Sequence, residues 1–420
     1  MLGSLNWWCS VINAAMQGWQ CVYAVSLPLG GIVNKVLFLV LLFCIAPNLH
    51  YLCILLKRCC KVKLHIFNPE HEMALAADAA HVALPHAVQE FKTNLGFLPA
   101  LWADDGDFVL VDDVLFALKA LAQCRMPHAD VLFVSQEDMG KLVFSGFEPW
   151  GWDKAVRRML ADAGMDVGGL PSDEYLDFVR SLADRRNTTD ALLRIRSGLE
   201  CATCGESRFC KSLDEVLDEM DKYGAVVVKA LWSSSGRGVR YVDKGFSASL
   251  RGWMSNTIGR QGGVMVEPYY KKVKDFALEF YSHGDGRVDY CGLSLFETNK
   301  SSYAGNVVAA EEEKAAMLAR FVPAWLLNET RQRLLRYFSE GAFSKYSGPL
   351  GVDMMAVARD DGRGFLLHPC VEINVRRTMG HVANSFGVQA TEPAKLMRIV
   401  HDVNYKLKFD TIGNNFVKVI

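Results

Sequence analysis

The stretch Gly348-Pro349-Leu350-Gly351-Val352-Asp353-Met354-Met355-Ala356-Val357 decides how this chain is read, together with Phe365-Leu366-Leu367-His368-Pro369-Cys370-Val371-Glu372-Ile373-Asn374-Val375-Arg376. Both runs have the apolar character of buried strands, and Asp360-Asp361-Gly362 between them reads as a turn. Side chains alternate along a strand, so Glu372, Asn374 and Arg376 share a face, and in a hairpin Asp353 can lie opposite them. Burying an unpaired carboxylate in such a strand is costly, so these acids are expected to have a partner. Two carboxylates and an amide oxygen suit one or two Mg²⁺ ions, with Mn²⁺ as the other candidate. Arg376 beside them could clamp a transferring phosphoryl group. The competing reading is a surface hairpin with Glu–Arg cross-strand pairing.

Upstream, Ala225-Val226-Val227-Val228-Lys229 is a β-branched strand ending in a cation. It runs into Ser233, Ser234, Ser235, Gly236, Arg237 and Gly238. Small residues let backbone N–H groups approach an anion, and Lys229 would put a point charge on a phosphate. The spacing is not that of a Walker A loop. A plain hairpin between Ala225–Lys229 and Val239–Val242 fits the same residues.

Lys229, the Ser/Gly loop, Val266-Glu267-Pro268-Tyr269-Tyr270, and Asp353 with Glu372-x-Asn374 occur in an order that resembles the ATP-grasp superfamily. Leu182-Ala183-Asp184-Arg185-Arg186-Asn187-Thr188 looks like the family's "D-K-x-x-T" helix start, with Arg185 where the family usually has lysine. The resemblance covers roughly residues 180–390. It implies an α/β and α+β protein: a pre-grasp α/β domain (61–178), then an ATP-grasp domain (179–420) whose subdomains, about 179–265 and 266–420, sandwich the nucleotide. Carried over by position, Arg185, Lys229, Ser233, Ser234, Ser235, Gly236 and Gly238 would surround the phosphates. Glu267 and the backbone at Tyr269 would meet the adenine edge, and Asp275 the ribose. Asp353, Glu372 and Asn374 would hold the metal. Lys229 and Arg376 would stabilise the transferred phosphate. The chemistry implied is carboxylate activation by ATP to an acyl phosphate, followed by attack of an amine or similar nucleophile. Two other readings of the same residues are an ATP-grasp-derived kinase or phosphotransferase and a non-catalytic ATP-binding regulatory module.

The segment before the grasp alternates strand and helix. Leu64–Phe67, Phe108–Val111 and Val131–Val134 read as buried strands, and Glu72–Phe91 and Val114–Cys124 as helices, which favours a parallel sheet. Asn68-Pro69-Glu70-His71-Glu72 follows the first strand, where such sheets bind ligands; a satisfied turn is the other reading. Ser172-Asp173-Glu174 caps a further helix.

The 420 residues carry 46 basic and 47 acidic side chains, and no basic excess points to nucleic acid. Cysteine usage is that of a reduced cytosolic protein. Cys201, Cys204 and Cys210 have no apparent fourth ligand for zinc. His381 is expected at the surface. Residues 1–60 are apolar and hold no acid; the first is Glu70. Val36–Leu56 is about 21 residues, long enough to span a bilayer. Lys57–Lys63 would then leave the body on the cytoplasmic side. A non-native extension, with the protein proper starting near Lys63, fits equally. Membrane contact is expected only in the first case.

Overall fold

The first apolar run after the basic cluster forms strand β1, Lys63–Ile66. Strands β2 (Phe108–Leu110), β3 (Leu132–Val134) and β4 (Gly146–Pro149) follow. The four make a parallel sheet in the order β3-β2-β1-β4. Between β2 and β3 runs the helix Val114–Cys124, started by Asp113, whose carboxylate accepts from the Phe116 N–H at 2.9 Å. The winding reverses at β1, which has β2 on one side and β4 on the other. A reversal of this kind opens a crevice beyond the carboxyl ends of the strands. Those ends carry the Asn68–Glu72 turn after β1 and Trp150–Asp153 after β4.

This computed structural model describes residues 62–233, 238–299, 302–388 and 392–412. Both N-terminal apolar stretches, and the readings attached to them, lie outside the described residues. Among the described residues no helix is long and apolar enough to cross a membrane.

One expected helix is two. In place of Glu72–Phe91 the chain forms His71–Ala77 and His86–Leu95. Asp78 ends the first in the left-handed region, at φ 50°, and its N–H closes on the Ala74 carbonyl. Pro85, which has no N–H to give and fits the start of a helix, precedes the second. The Ser172 cap is present: its hydroxyl accepts from the Tyr175 N–H at the start of helix Asp173–Leu182.

Strands β5 (Arg208–Cys210), β6 (Ala225–Ala230), β7 (Val239–Asp243) and β8 (Val264–Pro268) form a small antiparallel sheet, ordered β5-β8-β6-β7. Val226, Val228, Val264 and Val266 pack against Val216, Met220 and Met254 of its two helices. The β6–β7 pairing is the hairpin that the sequence allows.

The third sheet contains β9 (Lys272–His283), β10 (Val288–Asn299), β11 (Ser302–Val308), β12 (Ser347–Ala358), β13 (Phe365–Asn374), β14 (Lys395–His401) and β15 (Tyr405–Thr411). It is antiparallel, in the order β13-β12-β9-β10-β11-β14-β15. Leu350, Val352, Met354 and Ala356 of β12 are buried in one core cluster with Phe276, Leu278 and Phe280 of β9. Leu334 and Phe338 of helix Ala324–Ser339 and Leu192 and Ile195 of helix Asn187–Arg196 complete that cluster. Burying each such side chain stabilises by about 1.5–3 kcal/mol. By alternation, Gly351, Asp353 and Met355 occupy the opposite face of β12.

Candidate active site

Asp353 and Glu372 are direct partners in the β12–β13 register, and Gly351 pairs with Asn374. The pairing then skips and resumes at Met355 opposite His368, leaving a bulge beside the carboxylates. Pro369, which could not donate to the ladder, falls in that bulge. The bulge also leaves the Val371 carbonyl to accept from Lys229 Nζ at 3.1 Å. An irregularity in one strand thus ties the large sheet to the lysine of the small one.

Burial pushes the Asp353 carboxyl up to about 7, and the facing Glu372 charge adds to the effect. Arg376 and a hydrogen bond from Asn374 act the other way. Two facing acids with an amide beside them are a donor set for a hard cation, which would remove their mutual repulsion. The residues therefore fit Mg²⁺. Among the described residues no group of three or more His, Cys, Asp or Glu side chains forms a metal site, so Cys201, Cys204 and Cys210 do not make one. Burial raises the Cys204 thiol to about 12, far from a thiolate ligand.

Arg185 is buried and stands on this set. Its Nη2 donates to Glu372 Oε1 at 2.6 Å, and its Nη1 donates to the Ala230 carbonyl at 2.5 Å and to Ser233 Oγ at 2.8 Å. One guanidinium thus joins the end of β6, the loop after it and the acidic strand. Gly238 closes that loop: its carbonyl accepts from the Ala230 N–H at 2.8 Å, and a Cβ there would run into the Ser233 side chain. Ser234, Ser235 and Gly236 lie outside the described residues.

The other expected site residues are placed as follows. Glu267 forms a buried ion pair with Lys229 at 2.7 Å instead of lying open for an adenine edge. The Tyr269 N–H is also committed, donating to the Ala225 carbonyl at 3.0 Å, and its ring is exposed. Arg376 lies two residues beyond the end of β13 at Asn374, and it lines the same cleft as Glu372 and Asn374. Its Nε donates to Glu72 Oε1 at 2.8 Å, its Nη2 reaches the same oxygen, and its Nη1 donates to the Arg377 carbonyl. Asp275 faces Met355 across β9 and β12 and accepts from Lys272 Nζ at 2.6 Å and Thr298 Oγ1 at 2.9 Å.

His71, Glu72, Arg185, Ser233, Glu372 and Arg376 are among the residues lining a narrow cleft. Its free volume is about 20 Å³, room for roughly one water, so a larger ligand must displace side chains. Next to the carboxylates lies a second buried acid. Glu279 of β9 sits between Gly351 and Gly292 in the sheet, and burial pushes its carboxyl up to about 8. His381, expected at the surface, is buried beside it, with Nδ1 3.1 Å from Glu279 Oε2. Since Nε2 bonds the Phe280 carbonyl at 3.0 Å, it carries the ring proton; Nδ1 is left to accept from the Thr378 N–H at 3.2 Å. Burial lowers His381 to about 3, which favours the neutral ring.

Solved structures similar to this chain include N5-carboxyaminoimidazole synthetase from Staphylococcus aureus complexed with ADP. It is 12% identical, with 81% of this chain and 82% of that chain covered and a TM-score of 0.40. A biotin carboxylase–β-γ-ATP complex from Campylobacter jejuni is 12% identical, with 81% and 75% covered and a TM-score of 0.44. An ATP-grasp superfamily protein from Archaeoglobus fulgidus is 13% identical, with 84% and 100% covered and a TM-score of 0.42. No family model matches the sequence, and the curated proteins include no match to it. In chain order the layout is a parallel sheet, then a small sheet bearing Lys229, then a large one bearing Asp353 and Glu372, with the Lys229 ammonium reaching the Val371 carbonyl between the last two.

The sequence does not announce Glu72 as the partner of Arg376 or Glu279 as a buried acid. Nor does it announce that Asp153, the cap of helix Lys154–Asp162, also holds His71. The available signals were small: a glutamate in an otherwise apolar strand, and a glycine between two tryptophans at Trp150-Gly151-Trp152.

Proposed function

We propose that this chain is an ATP- and Mg²⁺-dependent ligase that activates a small-molecule or peptide carboxylate as an acyl phosphate for attack by an amine. The observation that carries this reading is the direct pairing of Asp353 with Glu372, where Glu372 and Asn374 line a cleft together with Arg185 and Arg376. Phosphoryl transfer requires positioning and charge neutralisation more than covalent help, and these are the groups for it.

Asp353, Glu372 and Asn374 would hold Mg²⁺, which neutralises phosphate oxygens when bound. Lys229, anchored on Glu267 and the Val371 carbonyl, would present its ammonium to the phosphates. Arg185 would leave Glu372 for a phosphate oxygen, a bidentate match for its planar fork. Arg376, released by Glu72, would hold the transferred group. Each cation already rests on an acid, so for each arginine binding exchanges one ion pair for another.

The test is thermal unfolding of the full chain with Mg²⁺ and ATP, beside Glu372→Gln. Ligand at about 100 times its dissociation constant adds roughly 2.7 kcal/mol, a shift of several degrees. A shift that requires Mg²⁺ and shrinks in the variant supports the site. ADP release that requires both a carboxylate and an amine separates the ligase from a phosphotransferase. A shift with no turnover in any mixture would instead favour the regulatory module, a reading to which the fully paired cations also lend themselves.

A further inference from the structure

We infer that His71 is the proton acceptor for the attacking amine and that Asp153 is its positioning residue. This inference rests on the ligase reading above. His71 is 1% exposed and follows β1 in the turn at the sheet's reversal point. Its Nδ1 lies 2.9 Å from Asp153 Oδ2. Asp153 is itself held at both oxygens. Oδ1 accepts from the Val156 N–H at 2.8 Å, and Oδ2 accepts from Asn68 Nδ2 at 3.1 Å. Asn68 Nδ2 in turn donates to the Gly151 carbonyl at 2.8 Å. A carboxylate already accepting at both oxygens acts as acceptor for the ring too, so Nδ1 carries a proton, and in the neutral ring Nε2 is then the lone pair.

That lone pair has no partner among the described residues, although the ring is buried. The imidazole lines the cleft that also holds Arg376, Glu372 and Asn374. Gly151 lies against the ring: a Cβ there would stand 2.6–2.7 Å from Cδ2, Cγ and Nε2. The ring is therefore clamped on its face, fixed in one tautomer and left with one free nitrogen in the candidate active site. A histidine serving only to tie two loops together would have no reason to keep that nitrogen bare at the cleft, since an unmet buried polar atom is costly.

The amine nitrogen attacks the carbonyl carbon of the acyl phosphate and a C–N bond forms. The C–O bond to phosphate breaks and phosphate leaves with the electron pair. The proton lost by nitrogen passes to His71 Nε2, and Asp153 stabilises the imidazolium.

The experiment supplies the full chain with Mg²⁺, ATP and a carboxylate pool of the protein amino acids, common dicarboxylates and short peptides. The nucleophile is either hydroxylamine or ammonia. Hydroxylamine is a strong nucleophile that is unprotonated at neutral pH and has little need of a base; ammonia is mostly ammonium and must lose a proton. His71→Asn keeps a donor for Asp153 and removes Nε2. Asp153→Asn keeps the helix-capping oxygen and forces Nδ1 to accept, which places the ring proton on Nε2. In both variants amide formation is expected to fall about 100-fold more than hydroxamate formation. Equal losses of both products, or no loss of amide, would overturn the role of His71 while leaving the ligase reading standing. Wild-type protein that yields neither product would overturn the ligase reading, and this inference with it.

Discussion

Asp353 and Glu372 face each other across β12 and β13, and Arg185 Nη2 holds Glu372 Oε1 at 2.6 Å. Two acids are thus brought together by strand register, and an arginine from outside the hairpin offsets part of their repulsion. Burial pushes Asp353 up to about 7, with the Glu372 charge the next cause, so above that pH the pair is held together against its own charge. Asp353→Asn should relieve this. At pH 8 thermal unfolding should show equal or greater stability, by on the order of 2 kcal/mol. The same variant should lose the Mg²⁺-dependent shift with ATP. A loss of stability at pH 8 would count against the like-charge account.

Arg185 is expected to be structural as well as functional. Arg185→Met leaves Glu372 without its ion pair and the Ala230 carbonyl without a donor. Removing one partner of a buried pair costs about 3 kcal/mol. Denaturant unfolding of Arg185→Met, Glu372→Gln and the double variant should show coupling of about 1–3 kcal/mol. Additive effects would mean that the two side chains do not support each other.

The Glu279–His381 contact predicts a slope of stability with pH. Glu279 rises from 4.5 to about 8 on folding because it is buried. Between those values the folded state holds a proton that the unfolded chain has released, so stability falls as pH rises from about 5 to 8. Glu279→Gln keeps the shape and removes the titration. Its melting temperature should fall less over that range than that of the wild type. Parallel profiles would show that Glu279 is ionised in the folded protein.

Gly380 marks the closeness of this packing. A Cβ there would run into Glu279 Oε1 and Ser294 Oγ, and one at Gly351 would lie 2.6 Å from Glu279 Oε2. Gly380→Ala should cost about 1–3 kcal/mol by overpacking. Adding Glu279→Ala should recover part of that loss. If the alanine is tolerated without cost, the helix Met379–Asn384 does not bear on Glu279 as tightly as the geometry indicates.

The acidic hairpin was legible because its signals are local. Alternation places Asp353 and Glu372 on their strands, and the Asp-Asp-Gly turn lets them meet. Lys229 was legible as the end of a β-branched strand. Arg376 was legible as a cation near the acids but not as the partner of Glu72, 304 residues earlier. Nothing local reports a contact between chain segments so far apart. The same holds for the pairing of Lys229 with Glu267, which turns two separate expectations into one ion pair. The helix over Glu72–Phe91 failed for a different reason. Its apolar spacing continues past Asp78, but Pro85 within it was a legible break, and the left-handed turn at Asp78 shows where the first helix stops.

By itself the sequence determined the kinds of elements, their order, and the two strands on which the carboxylates ride, because hydrophobic period and turn chemistry act over a few residues. The tertiary structure alone decided which cation rests on which acid, that His71 meets Asp153, and that Glu279 is sealed beside His381. Those pairings depend on how three sheets pack, and Coulomb and hydrogen-bond energies are realised only at the separations that packing imposes.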